Sequence, residues 1–297
     1  MPPACNTGVY PPPPVVRDMV ESHFDWYRAT VPVAPHILVE TIRQEAGKYA
    51  TVTEGKGRFN YTHSKTIEYC GDRVATVLHG GPNGHPNVEA SGGRYAPRLA
   101  ALLRSKGEHN VTRCDVAVDL FGEGLFERLR DMAGGIADEH GLSCRDVTDR
   151  DKSKGDTRYL GSRQSQVFAR IYEKGKAGGE TEDRIDPDLL RHWVRIELEV
   201  KPQKGMKAKA ALLEPSEFWG VSPWTLQLAK GALDMDAQPI PFTPRRNSND
   251  ERAFAHCMDQ YGETFRRLCV AKYQGDEDAF LEAIRRNVFR EGVKRAS

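Results

Sequence analysis

The sequence predicts an α+β fold: an antiparallel central sheet of about five or more strands, with helices packed on one face. Three separated stretches carry this prediction, because apolar residues alternate in them with charged, hydroxylated or aromatic ones. They are residues 113–120, 167–174 and 193–201. Alternate side chains of a strand share a face, so each stretch has an apolar side and a polar side. If the three strands share one sheet, the polar sides form one surface.

Short strands and two helices are predicted before the first of these stretches. The strands are residues 24–27, 59–61, 66–70 and 74–79, separated by glycine and aspartate turns. The helices are 36–46, which follows a proline, and 95–106, whose leucines form an apolar stripe. The glycine-rich segment 79–93 lacks the Lys and Ser/Thr of a phosphate-binding loop. We interpret it as turns rather than a nucleotide site.

The rest of the chain predicts further helices and a hairpin. A helix over 125–133 is expected to end at the glycine pair that follows it. Strands 157–160 and 167–174 are expected to form a hairpin. The predicted boundaries are 1–14 for a flexible proline-rich leader, 15–233 for the main domain, 234–250 for a linker and 251–297 for a small helical C-terminal region. In the last region, Asn249 or Asp250 is predicted to cap a helix that runs to about residue 261, and Asp276 a helix that runs to about residue 295.

Composition limits the partners and the compartment. The 43 basic and 42 acidic residues give a net charge of +1, so contact with nucleic acid requires local basic patches. The six cysteines lack zinc-binding spacing and are interpreted as free thiols of a reducing cytoplasm. No secretion signal or long apolar run is present in the sequence, which predicts a cytoplasmic protein without a membrane span.

Four carboxylates are predicted to share the polar surface of the sheet: Asp115, Asp119, Glu197 and Glu199. Clustered carboxylates repel one another unless a cation lies among them. A hard divalent cation, Mg²⁺ or Mn²⁺, fits a site made of oxygen ligands without a pair of histidines. The alternative is an ion-pair lattice in which nearby cations neutralise the acids. Those cations are Arg113, Arg170, Lys174 and Arg195.

Tyr172 is the candidate nucleophile on the same surface. It lies between Arg170 and Lys174, whose charges are expected to favour phenolate and to stabilise a developing oxyanion. The ordinary role of a tyrosine in a strand is half-buried packing. Tyr159, across the predicted hairpin, is the fallback nucleophile.

At these residues the chain resembles the replication initiation factor family, often called Rep_trans, which includes rolling-circle initiators of plasmids and filamentous phages. The similar segments are VTRCDVAVDL at 111–120, YLGS at 159–162, FARIYEK at 168–174, WVRIELEVK at 193–201 and the glycine-rich 80–93. Together they span roughly residues 60 to 230, and their combination is more specific than any one of them.

The resemblance implies an HUH-endonuclease-like domain, here residues 15–233, that nicks and rejoins one DNA strand. Its tyrosine forms a 5′-phosphotyrosyl intermediate and leaves a 3′-hydroxyl for the host polymerase, working beside a host helicase. Carried onto this sequence, Tyr172 is the nucleophile, assisted by Arg170 and Lys174. Mg²⁺ or Mn²⁺ would be held by Asp115, Glu197 and Glu199, with support from Asp119, Lys174 and Arg195.

Two features depart from better-known relatives. None of the nine histidines forms the His-hydrophobe-His pair that holds the metal in those proteins, so an acidic site must replace it. Only one tyrosine falls in the best-matching segment, which leaves strand termination unexplained. A second protomer of a homodimer and a freed Tyr159 are the two alternatives.

The expected partner is origin DNA, single-stranded or in a hairpin. The residues predicted to contact it are Arg195, Lys201, Lys204, Lys207, Arg285 and Arg286. Two alternatives stay open: a sequence-specific origin-binding or regulatory protein without covalent chemistry, and a metal-dependent hydrolytic nuclease. The cytoplasm would be that of a bacterial host. A phage rather than a plasmid is favoured, since the chain is short and has no helicase domain.

Overall fold

The structure is a computed structural model that describes residues 21–150, 154–177, 186–240 and 249–288. The chain divides into two compact units, Met1–Pro244 and Arg245–Ser297. The predicted leader (1–14) and residues 241–248 of the predicted linker lie outside the described residues.

The first unit is built on one antiparallel sheet. Its strands are β1 (His23–Thr30), β2 (Thr51–Lys56), β3 (His63–Tyr69), β4 (Asp72–His79), β5 (Asn87–Ser91), β6 (Asn110–Phe121), β7 (Cys144–Val147), β8 (Thr157–Leu160), β9 (Val167–Glu173) and β10 (Trp193–Val200). Their order across the sheet is β2-β3-β4-β5-β1-β6-β10-β9-β8-β7. The three alternating stretches of the sequence therefore become the neighbouring strands β6, β10 and β9.

The first unit also contains helices, four of which make the main helix contacts with the sheet. The helices are α1 (Pro35–Ala46), α2 (Ala96–Lys106), α3 (Leu125–His140), the short α4 (Pro187–Leu190) and α5 (Lys207–Ala210), and α6 (Pro223–Leu233). Helix α1 packs on β3 and β4, α2 on β1 and β5, α3 on β8 and β9, and α5 on β6. The α+β architecture predicted from the sequence is confirmed.

Alternation along the strands explains the core. Val116 and Val118 of β6, Ile171 of β9, and Ile196 and Leu198 of β10 are completely buried. Burial of a large aliphatic side chain contributes about 1.5 to 3 kcal/mol, so the register that faces these residues inward is strongly preferred over a one-residue slip.

Local signals misled the sequence prediction at two places. Residues 59–61 are not a strand: Phe59 and Asn60 have φ of 54° and 68°, and the Tyr61 amide donates to the Arg58 carbonyl (3.1 Å), which makes a tight turn between β2 and β3. Helix α3 does not end at the glycine pair of 134–135. It continues to His140, because Ile136 and Ala137 extend the same buried stripe.

Strands β2, β5 and β7 and helix α6 were not predicted. All residues of strands β2 and β7 are exposed, so neither strand has the alternation of apolar and polar residues by which strands are recognised in a sequence. Helix α6 begins at Ser222, whose hydroxyl caps the amide of Thr225, and at a proline in its first turn.

The second unit contains two helices, α7 (Asn249–Tyr273) and α8 (Glu277–Val288). Their hairpin is closed by Phe280, whose ring packs against those of Phe265 and Tyr273. The carboxylate of Asp276 accepts from the amide of Ala279 (3.0 Å), so the predicted cap of the last helix is present. Helix α7 extends well beyond residue 261, where it was expected to end.

Two further predictions concern the cysteines and the membrane. Cys114, Cys144, Cys257 and Cys269 are free thiols, whereas Cys70 is disulfide-bonded, so the expectation that every cysteine is free is wrong. Within the described ranges, no helix is both long and apolar enough to span a membrane.

Candidate active site on the polar face of the sheet

The surface of the sheet opposite the helices, here called the polar face, gathers the residues singled out in the sequence. Strand β10 lies between β6 and β9 and sets their register. On one side Arg195 pairs with Asp119, and Glu199 with Asp115. On the other side Arg195 pairs with Tyr172, Glu197 with Arg170, and Glu199 with Phe168. The sheet thus brings acids, arginines and the tyrosine from three segments onto one surface.

Glu197 is at the centre of the polar face. Its side chain is only 2 % exposed, yet it contacts two functional groups of β9. The guanidinium of Arg170 donates to Oε1, and the hydroxyl of Tyr172 donates to Oε2 at 3.5 Å. The Arg170 guanidinium also lies 5.5 Å from the centre of the Tyr172 ring. One buried carboxylate therefore holds both the candidate nucleophile and a neighbouring cation.

The electrostatics of Tyr172 differ from the sequence prediction. The Tyr172 ring is half-buried, and this burial, together with the charge of Glu197, raises the pKa of the phenol. Arg195 and Arg170 lower the pKa, but their effects are smaller. The expectation that neighbouring cations favour phenolate is wrong, because desolvation penalises the charged form more than the cations stabilise it. At neutral pH the phenol is protonated and needs a base to react.

Asp115 and Glu199 share one cation, Arg113. Its Nε donates to Oδ1 of Asp115 at 2.8 Å, and Nη2 lies 3.0 Å from Oε2 of Glu199. Despite this pairing, burial raises the pKa of Asp115 to about 7, and the charges of Glu197 and Glu199 add to the increase. Lys201 is the second cation on Glu199, at 2.5 Å.

Asp119 belongs to a separate ion-pair network. Arg195 holds it with two hydrogen bonds of 2.7 Å, and the indole of Trp193 donates to it at 2.6 Å. The third nitrogen of Arg195 donates to Asp25 of β1 at 2.8 Å. Since Arg195 is 8 % exposed and its nitrogens are satisfied by two carboxylates, it stabilises the sheet rather than facing a ligand.

The fit of the predicted metal can be judged from these contacts. Asp115, Glu197 and Glu199 supply the oxygen ligands that Mg²⁺ and Mn²⁺ prefer. However, each carboxylate is held by an arginine, and no group of three His, Cys, Asp or Glu among the described residues is placed to hold a metal ion. The arrangement matches the ion-pair alternative, so this ligand set stays a prediction that requires the arginines to move.

The other predicted residues are distributed around the fold. Lys174 begins a 3₁₀ turn after β9, where its ammonium lies 5.8 Å from the Trp193 ring, and burial and Arg195 lower its pKa. Lys204 lies in another 3₁₀ turn and Lys207 begins α5, so both are near the helix layer rather than on the polar face. Arg285 and Arg286 are exposed on α8 in the second unit, beside Glu282. The roles of these cations in DNA binding stay predictions.

Tyr159 of β8 faces Arg170 across the β8–β9 pair. It is half-buried and its ring stacks on Phe168. It is therefore on the polar face, but among the described residues no carboxylate is placed against its hydroxyl as Glu197 is against Tyr172.

Sequence reasoning missed the contribution of β1. A bulge between Phe24 and Trp26 lets Asp25 reach Arg195. Trp26 lies under the guanidinium of Arg113, 4.9 Å from its ring centre. A bulge has no signature in this segment, so nothing in the sequence could have shown that these two residues meet partners on other strands.

Comparison with known proteins gives the class of this one. The family of replication initiation factors (Rep_trans) matches residues 109–283, more than half of the chain. This chain belongs to that family. The match contains β6, β9 and β10, the three strands that build the polar face, and it confirms the resemblance found in the sequence.

Among solved structures, the chain is similar to a rolling circle replication initiator protein from Geobacillus stearothermophilus. The two are 18 % identical, with a TM-score of 0.46, over 78 % of this chain and 91 % of that one. No curated protein matches the sequence.

Proposed function

We propose that this protein initiates rolling-circle replication by nicking and rejoining one DNA strand at an origin, with Tyr172 as the nucleophile. Membership of the replication initiation factor family supports the biological role. The observation that carries the chemistry is the convergence of Tyr172 and Arg170 on the buried carboxylate of Glu197.

Glu197 has the position of a general base. The phenol of Tyr172 is protonated at neutral pH, and its hydroxyl already points at Oε2 of Glu197. As the phenol oxygen attacks phosphorus, its proton passes to the carboxylate, a contribution of roughly 10² to 10⁴ in rate for such transfers. The distance of 3.5 Å in the free protein shortens on substrate binding in this scheme.

Arg170 stabilises the charge that develops on phosphate. Once Glu197 takes the proton, it no longer needs the guanidinium as an ion-pair partner, and Arg170 can donate to a phosphoryl oxygen instead. The P–O3′ bond breaks and its electron pair leaves with O3′, which takes a proton from water to become the 3′-hydroxyl. Glu197 returns the phenol proton to the solvent, and the 5′-phosphate stays on Tyr172. The reverse attack by a 3′-hydroxyl rejoins the strand without ATP.

Dependence on Mg²⁺ or Mn²⁺ is part of the proposal, with Asp115, Glu197 and Glu199 as ligands. A divalent ion would supply charge stabilisation at the phosphate. Binding at Asp115 and Glu199 requires Arg113 to leave them. Binding at Glu197 requires Arg170 to leave Oε1, while Oε2 stays with Tyr172 as the base. No step above depends on the ion.

The test is a covalent adduct. Labelled single strands tiled across the DNA that flanks the gene are incubated with the protein and Mg²⁺ or Mn²⁺, and adducts are separated on a denaturing gel. We expect protein on the 5′ end of one fragment, a peptide map that places it on Tyr172, and no adduct with Tyr172→Phe. Cleavage that survives Tyr172→Phe would indicate a hydrolytic nuclease and would contradict the proposal.

A second candidate function is an origin-binding protein without covalent chemistry. The pairing of all four predicted acids with arginines favours it, because a closed ion-pair lattice needs no further ligand. It predicts origin binding with no cleavage of any tiled strand, and binding that is unchanged by Tyr172→Phe.

A further inference from the structure

The geometry points to a base-stacking subsite on the polar face: the Tyr159 ring, backed by Phe168, receives one base of single-stranded DNA, and Arg145 and Arg163 hold the adjacent phosphates. The inference rests on the proposed function for its substrate, single-stranded DNA. It also gives Tyr159 a role other than that of a second nucleophile.

The aromatic platform is rigid. The ring centres of Tyr159 and Phe168 are 5.6 Å apart with an angle of 18° between the planes, so the two rings are stacked. Phe168 is 5 % exposed, whereas Tyr159 is half-buried and keeps part of its surface open. Both residues lie in strands of the sheet, which hold the platform in place when a base binds. Stacking on such a ring is available to every base, since each has a π-face.

The cations around this platform differ from those of the acidic centre. The Arg145 guanidinium is 5.4 Å from the centre of the Tyr159 ring, and that of Arg163 is 5.7 Å from Tyr159 and 5.8 Å from Phe168. Both arginines are exposed, and within the described part of the chain neither has a carboxylate partner. Arg113, in contrast, is bound by two carboxylates. In the free protein both guanidinium groups lie over the Tyr159 ring, so an incoming base displaces them and their charge becomes available to the adjacent phosphates.

The platform lies one step from the proposed nucleophile. Tyr159 is directly opposite Arg170, and Tyr172 is two residues further along the same face of β9. Diagonal neighbours in an antiparallel pair are about 7 to 8 Å apart, within the reach of one nucleotide of an extended strand. Lys201 also connects the two places, because it donates to the carbonyl of Arg163 and pairs with Glu199. The stacked base thus belongs to a nucleotide beside the scissile phosphate.

The experiment measures binding apart from cleavage. Fluorescence anisotropy of a labelled mixed-sequence single strand is recorded with full-length protein carrying Tyr172→Phe. Adding Tyr159→Ala is expected to weaken binding about 10-fold or more, and Tyr159→Phe, which keeps the ring, restores it. The matched control is Tyr49→Ala: Tyr49 is 62 % exposed, lies between α1 and β2, and has the Lys48 ammonium 5.8 Å from its ring centre.

Two further measurements keep the test decisive. If Tyr159→Ala lowers the melting temperature by uncovering Phe168, Tyr159→Leu keeps the cover without the ring and should bind as weakly as Tyr159→Ala. A strand carrying 5-iododeoxyuridine should photocrosslink to the peptide that contains Tyr159. Equal binding by Tyr159→Ala and the parent protein would overturn the subsite. So would an equal loss in Tyr159→Phe, which would assign the effect to the hydroxyl.

The outcome is distinguishable from failure of the proposed function. A protein that nicks no DNA but binds more weakly with Tyr159→Ala retains the subsite without the chemistry. A protein that forms the Tyr172 adduct and binds equally well without the Tyr159 ring retains the chemistry without the subsite.

Discussion

The hydroxyl of Tyr172 donates to Oε2 of Glu197 across the β9–β10 pair, although the two residues are 25 positions apart in the chain. Burial holds the phenol in its protonated form, so in the proposed mechanism its attack depends on this carboxylate. Replacement of Glu197 by the isosteric, neutral glutamine removes the proposed base and leaves the proposed nucleophile in place.

Glu197→Gln should therefore slow adduct formation by roughly 10² to 10⁴ at neutral pH. The difference should shrink at high pH, where hydroxide takes the proton instead. Rates are measured by quenched-flow gel assay across a pH series. Glu54→Gln, at a 78 % exposed side chain on β2, is the control and should react at the wild-type rate. Equal rates for Glu197→Gln and the wild type would exclude Glu197 as the base.

Asp115 makes the stability of the fold depend on pH. Burial raises its pKa from 3.8 to about 7, so the folded state keeps a proton that the unfolded state releases at lower pH. The stabilisation is complete below about pH 4 and declines as pH rises from about 4 to 7, at no more than about 1.4 kcal/mol per pH unit for one proton.

Asp115→Asn removes this titration. Between about pH 4 and 7 the unfolding free energy of the variant should therefore rise relative to that of the wild type. Above about pH 7 the difference between the two proteins should stay constant. Urea unfolding at several pH values measures it. Asp131→Asn, at an exposed position on α3, should follow the wild-type profile. Parallel profiles for Asp115→Asn and the wild type would show that Asp115 has an ordinary pKa.

If Asp115 and Glu199 bind a metal as proposed, Arg113 competes with it for both carboxylates. Arg113→Gln frees Asp115 and leaves Lys201 as the cation on Glu199. We therefore expect tighter binding of Mn²⁺, by about 10-fold or more, because removal of a charged neighbour within about 3 Å is worth more than about 1.4 kcal/mol in a partly buried site. Calorimetry or Mn²⁺ electron paramagnetic resonance measures the affinity without DNA. Arg130→Gln, which removes the exposed partner of Asp131, should leave it unchanged. Unchanged affinity in Arg113→Gln would remove Asp115 and Glu199 as ligands.

Arg195 is expected to act on stability rather than on DNA. Arg195→Gln leaves the half-buried Asp119 and Asp25 without the guanidinium, which should cost more than the about 1 kcal/mol of a surface pair and less than the about 3 to 5 kcal/mol of a fully buried one. Arg191→Gln removes an exposed pair with Asp188 and should cost less than about 1 kcal/mol. Chemical denaturation compares the two. A variant at Arg195 that folds as stably as the wild type but binds DNA more weakly would restore the sequence-based prediction that Arg195 contacts DNA.

Arg285 and Arg286 of α8 remain predicted contacts to duplex origin DNA. Replacing both by alanine should lower the slope of log affinity against log salt concentration by about 2, because each arginine is expected to neutralise one phosphate. Nicking of a short single strand should stay at the wild-type rate. Arg266 and Arg267 form a second arginine pair, on α7, and their double alanine variant is the control. An unchanged slope in the Arg285 and Arg286 variant would exclude these residues from the interface.

The sequence alone determined which side chains share the polar face. In a strand the side-chain period is two, so the burial of Val116, Ile171 and Ile196 fixes the opposite orientation of Asp115, Tyr172 and Glu197. This is a local property that needs no knowledge of the neighbouring strand. The antiparallel α+β architecture followed from the same alternation together with the apolar stripes of α1 and α2.

Only the tertiary structure decided which partner each of these side chains meets. The order of strands places β10 between β6 and β9. The resulting register brings Glu197 into contact with Arg170 and Tyr172. It also brings Asp115 and Glu199 together around Arg113. The bulge in β1 gives Arg195 a second carboxylate, Asp25. Burial then reverses the expected effect on the pKa of Tyr172. Strand order, register and desolvation depend on contacts between residues far apart in the chain, so the local pattern that orients each side chain contains no information about them.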